Sequence, residues 1–401
     1  MAHTPILYPF EFGTLMGGSQ HSLLDLIGRL DPGRYRAVVV GPPAGEMLAS
    51  ATARGAVTLS AGSGAAWVFN PRRLPRTLRD ASTAVFRIAR AIEPHGIRLI
   101  HTNNIPSFLY SVAARRLTGA DVPVIWHDRG FGQYPTVLCR MVRQIMNGRS
   151  PSHLICTTSG CAQLWIRRGV DPSRISVIYN GIETERFIPI PARDAKAGLR
   201  LNGQRPLIGM VARMSRGKGH AVLLRALARV REQHPEAMGL LVGDCGPTAD
   251  DAVYQRELRD LSTQLGLSDH VIWAGAVPNA RIPAFLAACD VVVNPSFMEP
   301  FGRVIAEAML MAKPVIATRA GGAPELLEEG ISGYLTDPGD DGALSARIAA
   351  LLENPARAAA VGHAASARAR SMFALADTTF KVEQLYARLL GTEVGSPRKC
   401  A

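Results

Sequence analysis

Two carboxylates, Glu299 and Glu307, lie eight residues apart on either side of Gly302, where an apolar, helix-forming run begins. The apolar stretch Val291–Val293 before them predicts a buried strand, so the order is strand, loop with Glu299, helix with Glu307. Ligands of α/β sheets bind beyond the carboxyl ends of strands. Because carboxylates accept hydrogen bonds from hydroxyls but repel phosphate, the pair indicates contacts to a ribose and a sugar. The alternative is two surface glutamates flanking an ordinary helix.

A basic segment that contains glycine follows the strand predicted at Leu207–Val211. Arg213 offers a planar fork for phosphate oxygens, and Lys218 offers a point charge. Gly217 and Gly219 would let the backbone approach a ligand. The glycine spacing does not fit a Walker A loop, and Gly219 stands where that loop has Ser or Thr. The segment predicts a phosphate-binding turn, with an ordinary basic turn as the alternative.

Strand ends in the first half of the chain carry a glycine pair and two histidines. Gly17 and Gly18 precede a helical run, where backbone amides can meet a phosphate. His127 ends the strand predicted at Val124–Trp126, and His101 ends an earlier strand. A tight turn and two packing histidines are the alternatives that the local sequence leaves open.

These motifs, in this order, resemble the donor-binding signature of the GT4-type retaining glycosyltransferases, which have the GT-B fold. The resemblance extends over most of the chain and is most specific in its C-terminal half. There the segment from Glu299 to Glu307 is followed by four further matching runs: Lys313–Thr318, Gly321–Gly322, Glu325–Leu326 and Gly333–Leu335.

The resemblance implies a role for each motif of the C-terminal half. Arg213 and Lys218 would neutralise the diphosphate of the donor. Glu307 would bind the ribose, and Glu299 would bind sugar hydroxyls together with the backbone of Phe301–Gly302. A donor site for a nucleotide-diphosphate sugar is therefore expected in this half.

The resemblance also implies two sites in the N-terminal half and one near the nucleotide. Gly17 and Gly18 would form a phosphate-facing loop, and His127, on the rim of the cleft, would contact the transferred sugar. Asp244 lies in a loop that resembles the family's loop near the nucleotide, with Cys245 as an extra residue relative to the common Gly-Asp-Gly-Pro form.

The motifs also carry expectations about the reaction. No Asp-x-Asp sequence occurs in the chain, so we expect no metal site and no cofactor besides the UDP- or GDP-linked sugar. Cationic side chains would then stabilise the departing nucleoside diphosphate. No residue is an obvious covalent nucleophile, and the retention implied by the resemblance is best drawn as same-face attack, with the leaving phosphate accepting the acceptor's proton.

Length and composition indicate a two-domain protein of the cytoplasm. A chain of 401 residues exceeds what one core usually supports. No apolar run reaches the roughly 20 residues that span a bilayer, and the N-terminus lacks the features of a secretory signal. The six cysteines show no CxxC pairing, which favours buried reduced thiols.

Strand-like runs alternate with helical patterns along both halves, which indicates an α/β protein with parallel sheets. We expect two Rossmann-like domains facing each other across a cleft (GT-B). The Pro-rich segment 187–193 is the predicted linker. The predicted division is an acceptor-binding domain at 1–188, a nucleotide-sugar-binding domain at 189–375, and a C-terminal helix and tail at 376–401.

The positive charge is concentrated in the first half. Residues 1–188 hold 21 Arg, no Lys and 11 acidic residues, within a net charge of +12 for the chain. Such an excess suits nucleic acid, an anionic membrane surface or a charged acceptor. No nucleic-acid-binding motif is present, and the arginines are not interleaved with aromatic residues, so we expect no nucleic-acid partner.

Arginines also recur at helical spacing between Arg76 and Arg90, opposite an apolar face. This pattern is typical of a helix docked on a sheet. A docked helix can still present its arginines to lipid headgroups, and a second basic and apolar segment, Leu138–Met146, has the same character. Peripheral binding to the inner face of the membrane is therefore left open.

The sequence favours a retaining glycosyltransferase that moves a sugar from a nucleotide-diphosphate sugar to a glycan, lipid-linked or cell-envelope acceptor. A nucleotide-sugar epimerase or a glycan phosphorylase on the same fold is the main alternative. A nucleic-acid-binding protein is the remote one.

Overall fold

The structure is a computed structural model that describes residues 3–10, 17–60, 74–131, 134–149, 151–201, 205–246 and 248–393. The chain forms two compact units. The N-terminal unit comprises Met1–Gly181 together with Leu375–Ala401, and the C-terminal unit comprises Ile182–Ala374. The chain thus enters the C-terminal unit at Ile182, ahead of the predicted linker, and its last helix belongs to the N-terminal unit.

The N-terminal unit is built on a parallel sheet of seven strands in the order β3-β2-β1-β4-β5-β6-β7. The order reverses between β1 and β4, which makes this the switch point of the sheet. The strands are β1 (Thr4–Pro9), β2 (Tyr35–Gly41), β3 (Val57–Ser60), β4 (Leu99–Thr102), β5 (Val124–Asp128), β6 (Ser152–Cys156) and β7 (Ile175–Val177).

Helices cover both faces of this sheet, as its nearly continuous apolar strands require. One core contains residues of α1, α2 and α15, and the other contains residues of α3 to α6. The helices are α1 (Gly18–Arg29), α2 (Met47–Thr52), α3 (Leu74–Ile92), α4 (Ile105–Thr118), α5 (Thr136–Met146), α6 (Ser159–Arg167) and the terminal α15 (Leu375–Leu390).

The C-terminal unit repeats the plan with six parallel strands in the order β10-β9-β8-β11-β12-β13 and a switch point between β8 and β11. Its strands are β8 (Leu207–Val211), β9 (Met238–Val242), β10 (Val271–Gly275), β11 (Val291–Asn294), β12 (Val315–Thr318) and β13 (Tyr334–Thr336). Its helices are α7 (Ala192–Gly198), α8 (His220–Gln233), α9 (Ala249–Gln264), α10 (Ile282–Ala288), α11 (Arg303–Leu310), α12 (Ala323–Leu326), α13 (Asp341–Glu353) and α14 (Pro355–Phe373).

The predicted α/β class with two Rossmann-like sheets is confirmed. Three short strands were not predicted, and each lies at an edge of its sheet: β3, β7 and β13. Edge strands pack on fewer neighbours, and all four residues of β3 are at least partly exposed. Such strands therefore lack the apolar run from which the central strands were predicted.

Candidate functional site

Two predicted ligand-binding side chains of the C-terminal unit lie against each other at its switch point. Lys218 follows β8 and Glu299 follows β11, the two strands that flank the switch point, and Lys218 Nζ donates to Glu299 Oε2 at 2.7 Å. Ser296 Oγ donates to the same carboxylate oxygen at 3.3 Å. Both charged side chains are partly buried, with 27% of Lys218 and 14% of Glu299 exposed. The predicted phosphate cation and sugar-binding acid thus share one location.

Close backbone contacts hold the loops that carry this pair. Gly219 has a φ of +78°, and a Cβ there would lie 2.0 Å from the carbonyl oxygen of Pro295. Gly321 has a φ of +64°, and a Cβ there would lie 2.0 Å from the carbonyl oxygen of Glu299. Only glycine fits either position. Gly219, predicted to let a ligand approach, here lets the β11 loop approach.

The second carboxylate, Glu307, is nearly buried within α11. Its Oε1 accepts a hydrogen bond of 2.7 Å from Arg303 Nε, one helical turn earlier, and only 5% of the Glu307 side chain is exposed. Gly302, at the N-cap of this helix, has a φ of +94°. The Phe301 side chain is buried against Phe373, with ring centroids 5.5 Å apart. Phe301 therefore has only its backbone to offer a ligand.

Arg213 and Asp244 lie at the carboxyl ends of the adjacent strands β8 and β9, and both side chains are exposed. Asp244 Oδ1 accepts hydrogen bonds of 2.8 Å from the backbone of Cys245 and from Gln255 Nε2. Gln255 was not predicted as a site residue. It lies on α9, so only the fold brings it to Asp244.

Three helices that follow strands at the switch points have a glycine as their N-cap residue. In the part of the chain that the structure describes, no side chain caps α1 at Gly17, α8 at Gly219 or α11 at Gly302. Asn104 and Thr158, by contrast, cap α4 and α6 with their side chains. Uncapped N-terminal amides are suited to anions.

His127 lies at the carboxyl end of β5 and is buried, with 1% exposed. Its Nδ1 lies 3.3 Å from both His101 Nε2 and Arg129 Nη2. Burial first, and then the charge of Arg129 and the neighbouring His101, hold the pKa of His127 well below its usual range. His127 is therefore a neutral imidazole at neutral pH.

Arg129 was not predicted as a site residue, although it follows His127 by two positions. Its guanidinium donates to the side-chain oxygens of Asn103 and Asn180. Asn103 Nδ2 in turn donates to the backbone oxygen of Ser19 at 3.0 Å, near the start of α1. These contacts connect the predicted histidine with the predicted glycine pair inside the N-terminal unit.

Asp128, between these residues, anchors its own loop. The carboxylate is buried and accepts hydrogen bonds from Trp165 Nε1 at 2.7 Å, from the Tyr134 hydroxyl at 2.8 Å and from the Gly130 backbone at 2.8 Å. These bonds fix the backbone on both sides of Arg129.

The sequence predicted that the cysteines are reduced thiols. Cys139, Cys156, Cys161, Cys245 and Cys289 are free thiols, whereas Cys400 lies outside the described residues. Across the described ranges there is no cluster of three or more His, Cys, Asp or Glu that could hold a metal ion. Nor, in that same part of the chain, is any helix both long and apolar enough to cross a membrane.

Comparison with known proteins identifies the class of protein that this fold and site define. The family model described as "Glycosyl transferases group 1" matches residues 192–368, and that described as "Glycosyltransferase Family 4" matches residues 16–186. A solved structure of Anabaena HepE in complex with UDP-glucose superposes with a TM-score of 0.82 at 27% identity, covering 96% of this chain and 100% of that one.

Two curated relatives are also glycosyltransferases by name. A D-inositol 3-phosphate glycosyltransferase 2 of Catenulispora acidiphila is 29% identical over 79% of this chain and 76% of its own length. A GDP-mannose-dependent alpha-(1-6)-phosphatidylinositol monomannoside mannosyltransferase of Mycolicibacterium smegmatis is 34% identical over 45% of this chain. The match spans about half of that relative, 48% of its length.

The chain therefore belongs to the GT4-type retaining glycosyltransferases and has the GT-B fold. Glycosyl transfer, predicted from the motifs, is confirmed as its activity class. The matches give no support to the epimerase, phosphorylase or nucleic-acid-binding alternatives.

Proposed function

We propose that this chain transfers a hexose from a UDP- or GDP-linked donor to a hydroxyl of a glycan, lipid-linked or cell-envelope acceptor, with retention of anomeric configuration. The observation that carries the proposal is the contact of Lys218 with Glu299 across the switch point of the C-terminal sheet. A cation for phosphate and an acid for hydroxyls lie side by side, as a sugar diphosphate requires.

The diphosphate of the donor would meet positive charge from two sources. Arg213 is exposed at the end of β8, and Lys218 lies five residues further along the same loop. The uncapped N-termini of α8 and α11 add backbone N–H groups and the positive ends of two helix dipoles. This arrangement would stabilise the negative charge that develops on the leaving nucleoside diphosphate without a metal ion.

The hydroxyl-bearing parts of the donor would lie beside the two glutamates. Glu299 would accept hydrogen bonds from the sugar, together with the backbone of Phe301–Gly302, and Glu307 would accept them from the ribose. Asp244 and Gly243 would border the nucleotide from β9. In the N-terminal unit, Gly17 and Gly18 would face phosphate, and His127 would contact the transferred sugar.

The reaction itself would need no enzyme nucleophile. The bond between the anomeric carbon and the phosphate oxygen breaks, and its electron pair leaves with the nucleoside diphosphate. The acceptor oxygen forms its bond on the same face, and its proton passes to the departing phosphate oxygen. Exclusion of water would protect the cation-like transition state from hydrolysis.

The names of the relatives suggest which donors and acceptors to test. One of the named relatives is GDP-mannose-dependent, and a solved neighbour contains UDP-glucose. Both curated relatives carry inositol-containing acceptors in their names. We therefore include a phosphorylated or lipid-linked polyol among the acceptor classes of this chain.

We also propose that the N-terminal unit binds an anionic membrane surface through α3 and α5. Both helices lie on the same face of the sheet, since residues of both contribute to one core. Large apolar side chains of this face are exposed: 58% of Phe86, 65% of Val137 and 41% of Met141. Exposed apolar groups beside arginines are typical of interfacial helices.

Exposed arginines surround these apolar side chains, which favours binding of this surface to anionic lipid. Arg79 and Arg90 are exposed on α3, and Arg140 and Arg143 are exposed on α5. The side chain of Arg76, which belongs to the predicted basic face, lies outside the described residues. Each basic residue near an anionic surface contributes about 1 kcal/mol of attraction.

A donor screen tests the proposed function. The protein is mixed, without acceptor, with UDP-glucose, UDP-GlcNAc, UDP-galactose and GDP-mannose, and thermal stabilisation and slow release of nucleoside diphosphate are followed. One donor should stabilise the protein, and Lys218→Ala and Glu307→Ala should abolish the effect. Lys381→Ala removes an exposed lysine of α15 and is the matched control. No response to any of these donors would refute the donor site.

A further inference from the structure

A row of buried polar side chains runs through the N-terminal unit and ends at His127. The Tyr8 hydroxyl lies 2.9 Å from that of Tyr386, which lies 2.5 Å from His101 Nδ1. His101 Nε2 then lies 3.3 Å from His127 Nδ1. None of the four side chains is more than 1% exposed. The row joins α15 to strands β1, β4 and β5.

The direction of donation along this row follows from Arg129. A guanidinium only donates, so Nη2 of Arg129, 3.3 Å from His127 Nδ1, requires that nitrogen to be an acceptor. His101 Nε2 faces the same nitrogen and must carry its proton, since two lone pairs would repel. His101 Nδ1 is then the acceptor of the Tyr386 hydroxyl, and Tyr386 accepts from Tyr8. Every donor in the row points toward His127.

We propose that Tyr386, acting through His101, is a positioning residue of the glycosyl-transfer site that fixes His127 as the tautomer with its proton on Nε2. This inference rests on the proposed function, in which His127 contacts the transferred sugar. Among the described residues, Nε2 of His127 is buried and without a hydrogen-bond partner. A buried N–H of this kind is satisfied by a ligand oxygen or by water.

The charges of the row are consistent with this tautomer. Burial first, and then the charge of Arg129, lower the pKa of His101 to about 3. The same causes lower the pKa of His127. Burial also raises the pKa of Tyr386, so this phenol keeps its proton. Both imidazoles are neutral at neutral pH, and each therefore has one donor and one acceptor nitrogen.

The tautomer decides what His127 contributes to the reaction. A nitrogen that carries the proton of a neutral imidazole donates a hydrogen bond and does not accept one. His127 therefore donates to a hydroxyl oxygen of the transferred sugar and does not serve as the base that deprotonates the acceptor. The proton of the acceptor hydroxyl is left to the departing phosphate.

Ring-nitrogen NMR shifts of ¹⁵N-histidine-labelled protein test the tautomer. The signals of His127 and His101 are assigned by their loss in His127→Gln and His101→Gln. We expect wild-type His127 to show a protonated Nε2 and an unprotonated Nδ1. Tyr386→Phe should move the two shifts toward each other, because His101 loses the donor that orients it. A wild-type His127 protonated on Nδ1 would overturn the proposal, whatever the shifts of Tyr386→Phe.

Enzyme kinetics supply the second readout. Tyr386→Phe should lower kcat about tenfold, the loss of roughly one hydrogen bond. It should leave the affinity for the nucleoside diphosphate alone unchanged, since His127 meets only the sugar. Tyr35→Phe is the matched control, because it removes a hydroxyl that donates to Glu383 on the same helix at 3.3 Å but lies outside the row.

The outcomes separate this inference from the function on which it rests. If His127→Gln transfers sugar at the wild-type rate, the sugar contact of the proposed function fails, whatever the tautomer. If His127→Gln is impaired but Tyr386→Phe shows wild-type shifts and rate, the positioning role of Tyr386 is wrong. Tyr8→Phe, which removes only the outermost hydroxyl, should show the same changes to a smaller extent.

Discussion

Lys218 Nζ and Glu299 Oε2 lie 2.7 Å apart, joining the loops that follow the two central strands of the C-terminal sheet. These strands are remote in sequence, and 81 residues separate the two side chains. The contact pairs a positive with a negative charge. Binding of a sugar diphosphate would exchange it for two contacts, phosphate with the lysine and hydroxyls with the glutamate.

The first prediction concerns the different effects of Lys218 and Glu299 on nucleotide affinity and on transfer activity. Lys218→Ala should weaken binding of UDP or GDP about 10- to 100-fold, the value of a charged hydrogen bond of about 1.5–3 kcal/mol. Glu299→Gln should bind the same nucleotides at least as tightly as wild type. In this variant Lys218 can contact phosphate without first breaking an ion pair with Glu299. The variant should nevertheless lose most of its transfer activity. Isothermal titration calorimetry and a transfer assay measure the two effects, and equal losses of nucleotide affinity in both variants would contradict this division.

The second prediction separates two neighbouring glycines. Gly219→Ala should destabilise the C-terminal unit by more than about 2 kcal/mol, because a Cβ would lie 2.0 Å from the Pro295 carbonyl and the φ is +78°. Gly217→Ala, two residues earlier, meets nothing within 4 Å and should leave stability unchanged. Urea unfolding provides the measurement. Equal unfolding midpoints for the two variants would show that the loops after β8 and β11 do not touch in this way.

The third prediction concerns acid stability of the N-terminal unit. The pKa of His101 is lowered to about 3 in the folded state, from an ordinary value near 6.5. The unfolded chain therefore binds more protons between these values, and this histidine's contribution to stability is lost as pH falls from about 6.5 to 3. The slope it adds is about 1.4 kcal/mol per pH unit. Urea unfolding at pH 5 and pH 7.5 should show a smaller difference for His101→Gln than for wild type.

An exposed histidine provides the control for this experiment. His363 lies exposed on α14, in the other unit, and His363→Gln removes an imidazole without touching the buried row. If His101→Gln and wild type lose the same stability between pH 7.5 and pH 5, His101 is not buried as a neutral imidazole.

The fourth prediction concerns the membrane surface. The protein should sediment with vesicles that contain anionic lipid and not with neutral vesicles, and added salt should weaken the binding because exposed charges are screened. Phe86→Ser with Met141→Ser should reduce binding by removing apolar contacts. Leu117→Ser removes an exposed leucine of the intervening α4 and is the comparison for a general loss of apolar surface. Equal binding to neutral and anionic vesicles would exclude the proposed electrostatic component.

Much of the fold could be predicted because its strands are central and buried. Segments such as Val291–Val293 and Leu207–Val211 are continuous apolar runs, as expected of parallel strands covered on both faces. Gly302 and Gly219, which precede α11 and α8, marked the loops that follow these two strands. The last helix could be predicted as a helix, but its place in the N-terminal unit depends on packing with α1 and the buried Tyr8, hundreds of residues away.

The sequence by itself determined the family, the α/β class and the residue types at the proposed donor site, since these depend on local runs and fixed spacings. Only the tertiary structure decided that Lys218 contacts Glu299, that Tyr386 contacts His101 and that His101 contacts His127. Such contacts join residues brought together by strand order and helix packing. Neither periodicity nor propensity encodes them, because both describe only neighbours along the chain.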